Sequence, residues 1–217
     1  MTTDEFLPAL LRGRLVAIIR GTDGKAAVAA ARALFEEGIS YVEITLTTPG
    51  ALEAIETLGG GSAPGHWVGA GSVITAAQAS DAAAAGARFI VTPGVTESVA
   101  AAVRLDVPVL AGAYTATEAV AAMAQGAAAV KLFPASAGGP GYLKALRDPL
   151  PRIPFIAVGG VGLADAPGYF QAGAVALGLG GPLVGNAATQ DGDLAAMRER
   201  ARNFVELAGP DRMDASA

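Results

Sequence analysis

The sequence predicts an α/β fold of the (β/α)8 type, the TIM barrel, in which eight parallel strands alternate with helices around a closed sheet. Three observations support this: eight short apolar runs, alanine-rich segments of helical length between them, and glycines where a helix gives way to the next strand. Short apolar runs are typical of parallel strands buried on both faces, and their alternation with helices indicates βαβ units. Eight strands in 217 residues favour a closed barrel over an open sheet.

The predicted elements follow in order along the chain. The strands are expected at residues 15–20, 41–46, 67–71, 89–92, 107–111, 129–133, 154–158 and 175–179. Helices are expected at residues 25–37, 76–85, 116–125 and 163–171, with an extra N-terminal helix at 4–11 closing the barrel floor and a last helix at 194–208. Four of the helices are expected to end in a glycine with left-handed backbone, where a Cβ would be strained: Gly38, Gly86, Gly126 and Gly173.

A doubly wound open sheet is the alternative fold. Such a sheet requires a G-x-G-x-x-G turn after the first strand, and Gly21-Thr22-Asp23-Gly24 does not provide it. We therefore predict a single barrel domain over residues 1–217, of which residues 209–217 form a loose C-terminal tail.

The composition excludes several classes of function. The chain is 52% hydrophobic with a net charge of −5 and has no cluster of Lys and Arg, so no nucleic-acid partner is expected. Cys is absent and His66 is the single histidine, which leaves no thiolate nucleophile and no multi-histidine metal centre. The N-terminus lacks a basic region, and no apolar run reaches the roughly 20 residues that span a bilayer. We expect a cytoplasmic protein with no membrane partner, metal or cofactor.

Lys131 is the most informative residue, because it lies inside a run that otherwise reads as a buried strand. The other two lysines, Lys25 and Lys144, fall in stretches that look like exposed helices. A buried ammonium group must find a partner or lose its proton, and a neutral lysine is a nucleophile that forms Schiff bases with carbonyl compounds. The position of Lys131 therefore predicts a catalytic amine.

Glu43 is the predicted partner of this lysine. In the second strand, Glu43 alternates with the apolar Val42 and Ile44, which should face the surrounding helices, so Glu43 should point into the barrel. The same alternation sends Lys131 and Phe133 inward from the sixth strand. A structural ion pair that only fixes barrel packing is the alternative interpretation, although buried pairs are weak contributors to stability.

Further candidates follow strand ends, where the active site of this fold lies. Glycine-rich turns after the seventh and eighth strands predict a phosphate site, because backbone N–H groups and a helix N-terminus bind anions and glycine permits close approach; the turns contain Gly159, Gly160, Gly180 and Gly181. Arg20, at the end of the first strand, suits a carboxylate or phosphate, with a surface salt bridge as the alternative. Ser72 is expected to hydrogen-bond the substrate and Pro93 to shape the wall.

The chain resembles the 2-keto-3-deoxy-6-phosphogluconate (KDPG) aldolases and their relatives, which cleave 2-keto-3-deoxy-6-phosphogalactonate (KDPGal) or 4-hydroxy-2-oxoglutarate. The resemblance runs from about Leu15 to Gly185. The motifs that carry it are Glu43-Ile44-Thr45-Leu46, Gly69-Ala70-Gly71-Ser72-Val73, Val91-Thr92-Pro93-Gly94, Val130-Lys131-Leu132-Phe133-Pro134-Ala135 and Val158-Gly159-Gly160-Val161.

The resemblance implies a metal-independent class I aldolase that yields pyruvate, and a homotrimer. It assigns the Schiff base to Lys131 and the general acid and base to Glu43. Arg20 is assigned to the substrate anion, and the distal phosphate or acid group to the glycine turns. A small 2-keto-3-deoxy sugar acid and pyruvate are thus the expected ligands, and Phe133 is expected to contact them.

Two positions depart from the best-known family pattern. Thr47 occupies the place of an arginine in phosphogluconate-specific members, whereas galactonate-type relatives have a short polar residue there. Gly181 replaces a serine that often contacts phosphate, which leaves its backbone N–H. We predict that Thr47 binds substrate, but the preferred C4 epimer and the distal group stay open.

Two other classes of function use the same features. A sugar-phosphate isomerase or epimerase would use Glu43 as a base and Lys131 as its electrostatic partner, without a covalent adduct. A non-catalytic sugar-acid sensor would keep the phosphate turns and bind its ligand without turnover.

Overall fold

A computed structural model describes residues 3–60 and 65–209 of the chain. Its eight strands are parallel and form a closed barrel in sequence order, with the last strand paired to the first. They are β1 (Leu15–Ile19), β2 (Tyr41–Thr45), β3 (Trp67–Gly71), β4 (Ile90–Val91), β5 (Val109–Ala113), β6 (Ala129–Leu132), β7 (Phe155–Val158) and β8 (Ala176–Leu179). The predicted (β/α)8 class is confirmed. Residues 210–217 of the expected tail lie outside the described residues.

Helices precede, separate and follow the strands, and those between strands cover the outside of the barrel. They are α1 (Thr3–Gly13), α2 (Gly24–Glu36), α3 (Ala51–Gly59), α4 (Ala76–Ala84), α5 (Glu97–Arg104), α6 (Ala116–Ala124), α7 (Gly139–Arg147), α8 (Ala166–Gln171), α9 (Gly181–Val184) and α10 (Leu194–Ala208). The four glycines predicted to end helices all have φ of 90° or 91°, which confirms their left-handed backbone. No helix in the described part of the chain is long and apolar enough to cross a membrane.

Most element boundaries lie within one or two residues of the sequence prediction, and two of the differences have a local cause. Strand β5 begins at Val109, two residues late, because the N–H of Val107 still bonds the Ala102 carbonyl of α5 at 3.0 Å. Helix α8 begins at Ala166 rather than at residue 163, with a proline in its first turn. Proline fits that position because its missing N–H would have no partner in a first turn.

Aromatic side chains close the barrel at the end where the strands begin. Phe6 and Leu10 of α1 are fully buried against Tyr41, Trp67 and Phe89. The rings of Phe6 and Trp67 meet edge to face with centroids 5.2 Å apart, and the Tyr41 hydroxyl donates to the Phe6 carbonyl at 3.1 Å. Helix α1 is therefore the floor that the sequence predicted.

The floor hydrogen bond predicts a measurable loss of stability in Tyr41→Phe. The substitution keeps the ring and removes a buried hydroxyl donor, so we expect the free energy of unfolding in urea to fall by about 1 kcal/mol. Tyr142→Phe is the matched control, because its hydroxyl bonds the Tyr114 carbonyl in a part-buried place and should cost less. A Tyr41→Phe protein as stable as the parent would show that this bond contributes nothing.

Candidate active site

A cavity of about 390 Å³ lies at the opposite end of the barrel, where the strands terminate. This volume is within the range of small-molecule sites. Ten of the eleven predicted site residues line it: Arg20, Glu43, Ser72, Pro93, Lys131, Phe133, Gly159, Gly160, Gly180 and Gly181. The strand-end argument thus brought together residues that are up to 161 positions apart in the sequence, from Arg20 to Gly181.

Lys131 and Glu43 reach this cavity from opposite parts of the barrel wall. Both side chains are buried, with exposed fractions of 8% and 2%. Their neighbours along each strand, such as Val130 and Val42, pack outward against the helices. The predicted inward orientation is confirmed, and it places an amine and a carboxylate in one enclosed space.

Glu43 has room for its carboxylate because Gly71, a nearby residue of β3, has no side chain. The two strands pair with Glu43 beside Gly69 and Thr45 beside Gly71. A Cβ on Gly71 would lie 2.8 Å from the carboxylate carbon of Glu43, a distance that real Cβ atoms do not reach. Any side chain at Gly71 would therefore displace the carboxylate.

Burial and two cations set the protonation of Glu43 in opposite directions. Burial is the larger influence and raises the pKa of Glu43 above its ordinary value, because a carboxylate in low dielectric is costly. The positive charges of Lys131 and then Arg20 lower the pKa of Glu43 and so offset part of that rise. A carboxyl group with a raised pKa accepts and returns a proton at higher pH than an exposed one.

The Phe133 ring covers the lysine on the cavity side. The Lys131 nitrogen lies 5.2 Å from the ring centroid, within the range of a cation–π contact. The ring also rests on Gly159, where a Cβ would lie 2.9 Å from a ring carbon. Phe133 is 40% exposed at the cavity mouth, so it is placed to contact a bound molecule as well as the amine.

Two glycine turns form the other side of the cavity. Gly159 and Gly160 have φ of 95° and 73°, a conformation that other residues rarely adopt. Pro182 occupies the first turn of α9. A Cβ at Gly181 would meet no atom within 4 Å, so this position is open toward the cavity and presents only backbone.

Ser72 and Pro93 complete the wall. Ser72 has a φ of 60°, a strained value for a residue with a side chain and one that clusters at functional sites. The Pro93 turn is held by Thr92, whose hydroxyl donates to the Gly94 carbonyl at 2.7 Å and accepts from the Gly112 N–H at 3.1 Å. Sequence reasoning noticed Thr92 only as part of a motif, since its partner Gly112 is 20 residues away.

Thr47 is the predicted site residue that does not line the cavity. Its side chain is exposed, and its hydroxyl lies 3.0 Å from that of Thr45. A contact between Thr47 and substrate stays a prediction.

Seven further cavity residues were not among the predicted site residues. They are apolar side chains, glycines and one proline: Ile18, Val158, Val161, Gly178, Pro182, Val184 and Gly185. Such residues carry no chemical signal in a sequence. The alternation of inward and outward positions along β1 and β7 was the one available clue to Ile18 and Val158.

Within residues 3–60 and 65–209, no group of three or more His, Cys, Asp or Glu side chains is arranged to hold a metal ion. His66 stacks on Phe35 with ring centroids 4.2 Å apart. It does not line the cavity.

This (β/α)8 barrel brings a lysine amine, a carboxylate and glycine-rich turns to one cavity. That combination is typical of the Schiff-base lyases. The chain belongs to the KDPG and KHG aldolase family, whose model matches residues 8–199.

Individual relatives agree with the family match. The 2-dehydro-3-deoxy-6-phosphogalactonate aldolase of Escherichia coli K12 is 38% identical over 171 residues, 78% of this chain and 83% of that protein. A native KDPGal structure is 34% identical with a TM-score of 0.83, covering 88% of this chain and 92% of the other. A Legionella pneumophila KDPG aldolase with pyruvate captured as a covalent carbinolamine is 30% identical, with a TM-score of 0.77 over 93% and 95% of the two chains.

Gly71→Ala should lower kcat by about 100-fold, because its new methyl group takes the place of the Glu43 carboxylate and misplaces it. Gly141→Ala in α7 is the matched control, since a Cβ there meets nothing within 4 Å, and it should keep parental kcat. The measurement is steady-state aldol cleavage. Equal kcat values for Gly71→Ala and Gly141→Ala would contradict the predicted displacement of the Glu43 carboxylate.

Arg20→Gln should move the acidic limb of the kcat–pH profile to higher pH. Arg20 lowers the pKa of Glu43, so its loss lets burial raise that pKa further and keeps the carboxyl protonated to higher pH. Arg20→Lys retains the charge and should move the limb less. An acidic limb that stays at the parental pH in Arg20→Gln would show that the limb does not report Glu43.

Proposed function

We propose that the protein cleaves a 2-keto-3-deoxy-6-phospho sugar acid, KDPGal or KDPG, to pyruvate and glyceraldehyde 3-phosphate through a Schiff base on Lys131. The observation that carries this proposal is the pair of buried groups, Lys131 and Glu43, facing one cavity beside glycine turns. The names of the relatives, which are aldolases for such acids, support the substrate class.

The first half of the reaction forms the covalent intermediate. The unprotonated Lys131 amine adds to the C2 carbonyl carbon of the substrate and gives a carbinolamine. Loss of the hydroxyl as water then produces an iminium. The covalent carbinolamine of pyruvate in the Legionella aldolase supports this step by analogy.

The second half breaks a carbon–carbon bond. The Glu43 carboxylate accepts the proton of the C4 hydroxyl, directly or through a water, and the C3–C4 electron pair moves to the electron-poor iminium to give an enamine. The aldehyde leaves, and Glu43 returns a proton to C3. Water then hydrolyses the iminium, frees pyruvate and restores the lysine. One carboxyl group serves both proton transfers if its pKa lies near the working pH, which the raised pKa of Glu43 favours.

The remaining cavity residues hold and orient the substrate. Arg20 pairs with an anionic group of the sugar acid, because its guanidinium matches a carboxylate or phosphate in two parallel hydrogen bonds. The backbone N–H groups near Gly160 and Gly181 bind the distal phosphate. Ser72 hydrogen-bonds the substrate, Pro93 shapes the wall, and Phe133 contacts the pyruvyl part beside the lysine.

The galactonate-type acid is the first substrate to test. The Escherichia coli galactonate aldolase supports this choice by its identity, and so does the short polar Thr47 in place of the arginine of phosphogluconate-specific members. Cleavage of 4-hydroxy-2-oxoglutarate to pyruvate and glyoxylate is the alternative within the family, whose model includes KHG aldolases. A homotrimer, a single domain and a cytoplasmic location stay predictions.

The proposal predicts that sodium borohydride and pyruvate together modify Lys131. Borohydride reduces the iminium to a stable secondary amine, so peptide mapping by mass should find the adduct on Lys131. Lys25 and Lys144, the other two lysines of the chain, are internal controls and should stay unmodified. Lys131→Met should lose both the adduct and the cleavage of KDPGal.

Two outcomes would contradict the mechanism. Turnover of KDPGal by Lys131→Met would show that the lysine is dispensable. A parent protein that releases pyruvate without a trapped adduct would exclude the Schiff base. A comparison of kcat/KM for KDPG, KDPGal and 4-hydroxy-2-oxoglutarate then assigns the substrate.

A further inference from the structure

The backbone just after Arg20 is held by a hydroxyl group from the loop that follows β2. The Gly21 N–H donates to the Thr48 hydroxyl at 3.1 Å, a contact between residues 27 positions apart. Thr45 and Thr48 are almost completely buried, with exposed fractions of 1% and 2%. The proposed reaction gives neither threonine a role, since neither lines the cavity.

Arg20 itself takes its direction from strand β1. Val16 faces the barrel interior, and Ile18 lines the cavity two residues later. The alternation along the strand places Arg20 on the same inward side, although the strand ends at Ile19. The strand therefore aims Arg20 at the cavity, but the residue beyond it must be fixed by other contacts.

Gly21 is held from a second direction by the segment between α9 and α10. The Thr22 N–H donates to the Ala188 carbonyl at 3.2 Å. A Cβ on Gly21 would lie 2.8 Å from the Ala188 Cβ, so the backbone is in close contact with Ala188 on that side. Thr48 and Ala188 together fix the peptide that follows Arg20.

Three threonine hydroxyls lie in contact beside this peptide. The Thr48 oxygen accepts from the Gly21 N–H, and the Thr45 hydroxyl lies 3.3 Å from that of Thr48. The Thr45 hydroxyl also lies 3.0 Å from that of Thr47. A chain of hydroxyls thus runs from Thr47 to the backbone beside Arg20, and each bond polarises the next.

We propose that Thr48 is a positioning residue for Arg20: its hydroxyl fixes the Gly21 peptide and so places the Arg20 guanidinium against the substrate anion. This inference rests on the proposed function, in which Arg20 binds that anion. It predicts that Thr48 affects substrate affinity only through Arg20.

The test is a double-mutant cycle on the cleavage of KDPGal. Thr48→Val keeps the side-chain shape and removes the hydroxyl. We expect KM to rise by about tenfold, because the hydrogen bonds between the Arg20 guanidinium and the substrate anion are weakened. The value of kcat should change by less than about twofold. Thr48→Ser restores the hydroxyl and should return KM to near the parental value. Arg20→Gln should raise KM, and Thr48→Val added to Arg20→Gln should raise it no further.

A structural role for Thr48 gives different results. Tyr41→Phe, which loses a buried hydroxyl at the barrel floor, is the matched control: it should lower stability without changing KM. Multiplicative effects of Thr48→Val and Arg20→Gln on KM, or a Thr48→Ser protein as impaired as Thr48→Val, would overturn the positioning role.

The same experiment separates this inference from the proposed function. A parent protein that neither cleaves the three family substrates nor traps pyruvate on Lys131 would overturn both. A parent protein that does so, with parental KM in Thr48→Val, would overturn the positioning role alone.

Discussion

The burial of two opposite charges inside the barrel is the constraint on which the rest of this structure depends. A carboxylate or ammonium in a low-dielectric interior is costly, and Lys131 and Glu43 are both almost completely buried. Their attraction is visible in Glu43, whose pKa is raised by burial and lowered by Lys131 and Arg20. Burial thus keeps the Glu43 carboxyl protonated to higher pH than an exposed one, and the two cations offset part of this effect.

Room for these charges comes from the absence of side chains at inward positions of neighbouring strands. Gly71 leaves space for the Glu43 carboxylate, and Gly178 leaves space for the Val158 side chain, which lines the same cavity. At the other end of the barrel the same inward positions hold large rings such as Tyr41 and Trp67. The interior thus changes along its axis from a packed aromatic layer to a cavity, which separates the part that stabilises the fold from the part that holds substrate.

The features that follow from local sequence were predictable, and those that depend on contacts between distant segments were not. Apolar alternation correctly placed Lys131 and Glu43 on the inner face, and a missing side chain correctly marked Gly38 as a helix end. One local feature was also missed: the start of β5 was misplaced, because a hydrogen bond from Val107 back to α5 delays the strand. The bond between Gly21 and Thr48 joins two loops whose approach only the closed barrel determines.

In the described part of the chain, the aromatic floor closes one end of the barrel and leaves the cavity open at the other end. With Phe6 and its neighbours filling the base of the barrel, substrate enters and products leave at the rim where the strands end. In the proposed reaction the aldehyde is released free, while the pyruvyl fragment stays bonded to Lys131. The aldehyde must then depart before water reaches the iminium. The covalent bond therefore orders release, with the aldehyde first and pyruvate last, and the closed floor makes both leave by the same rim.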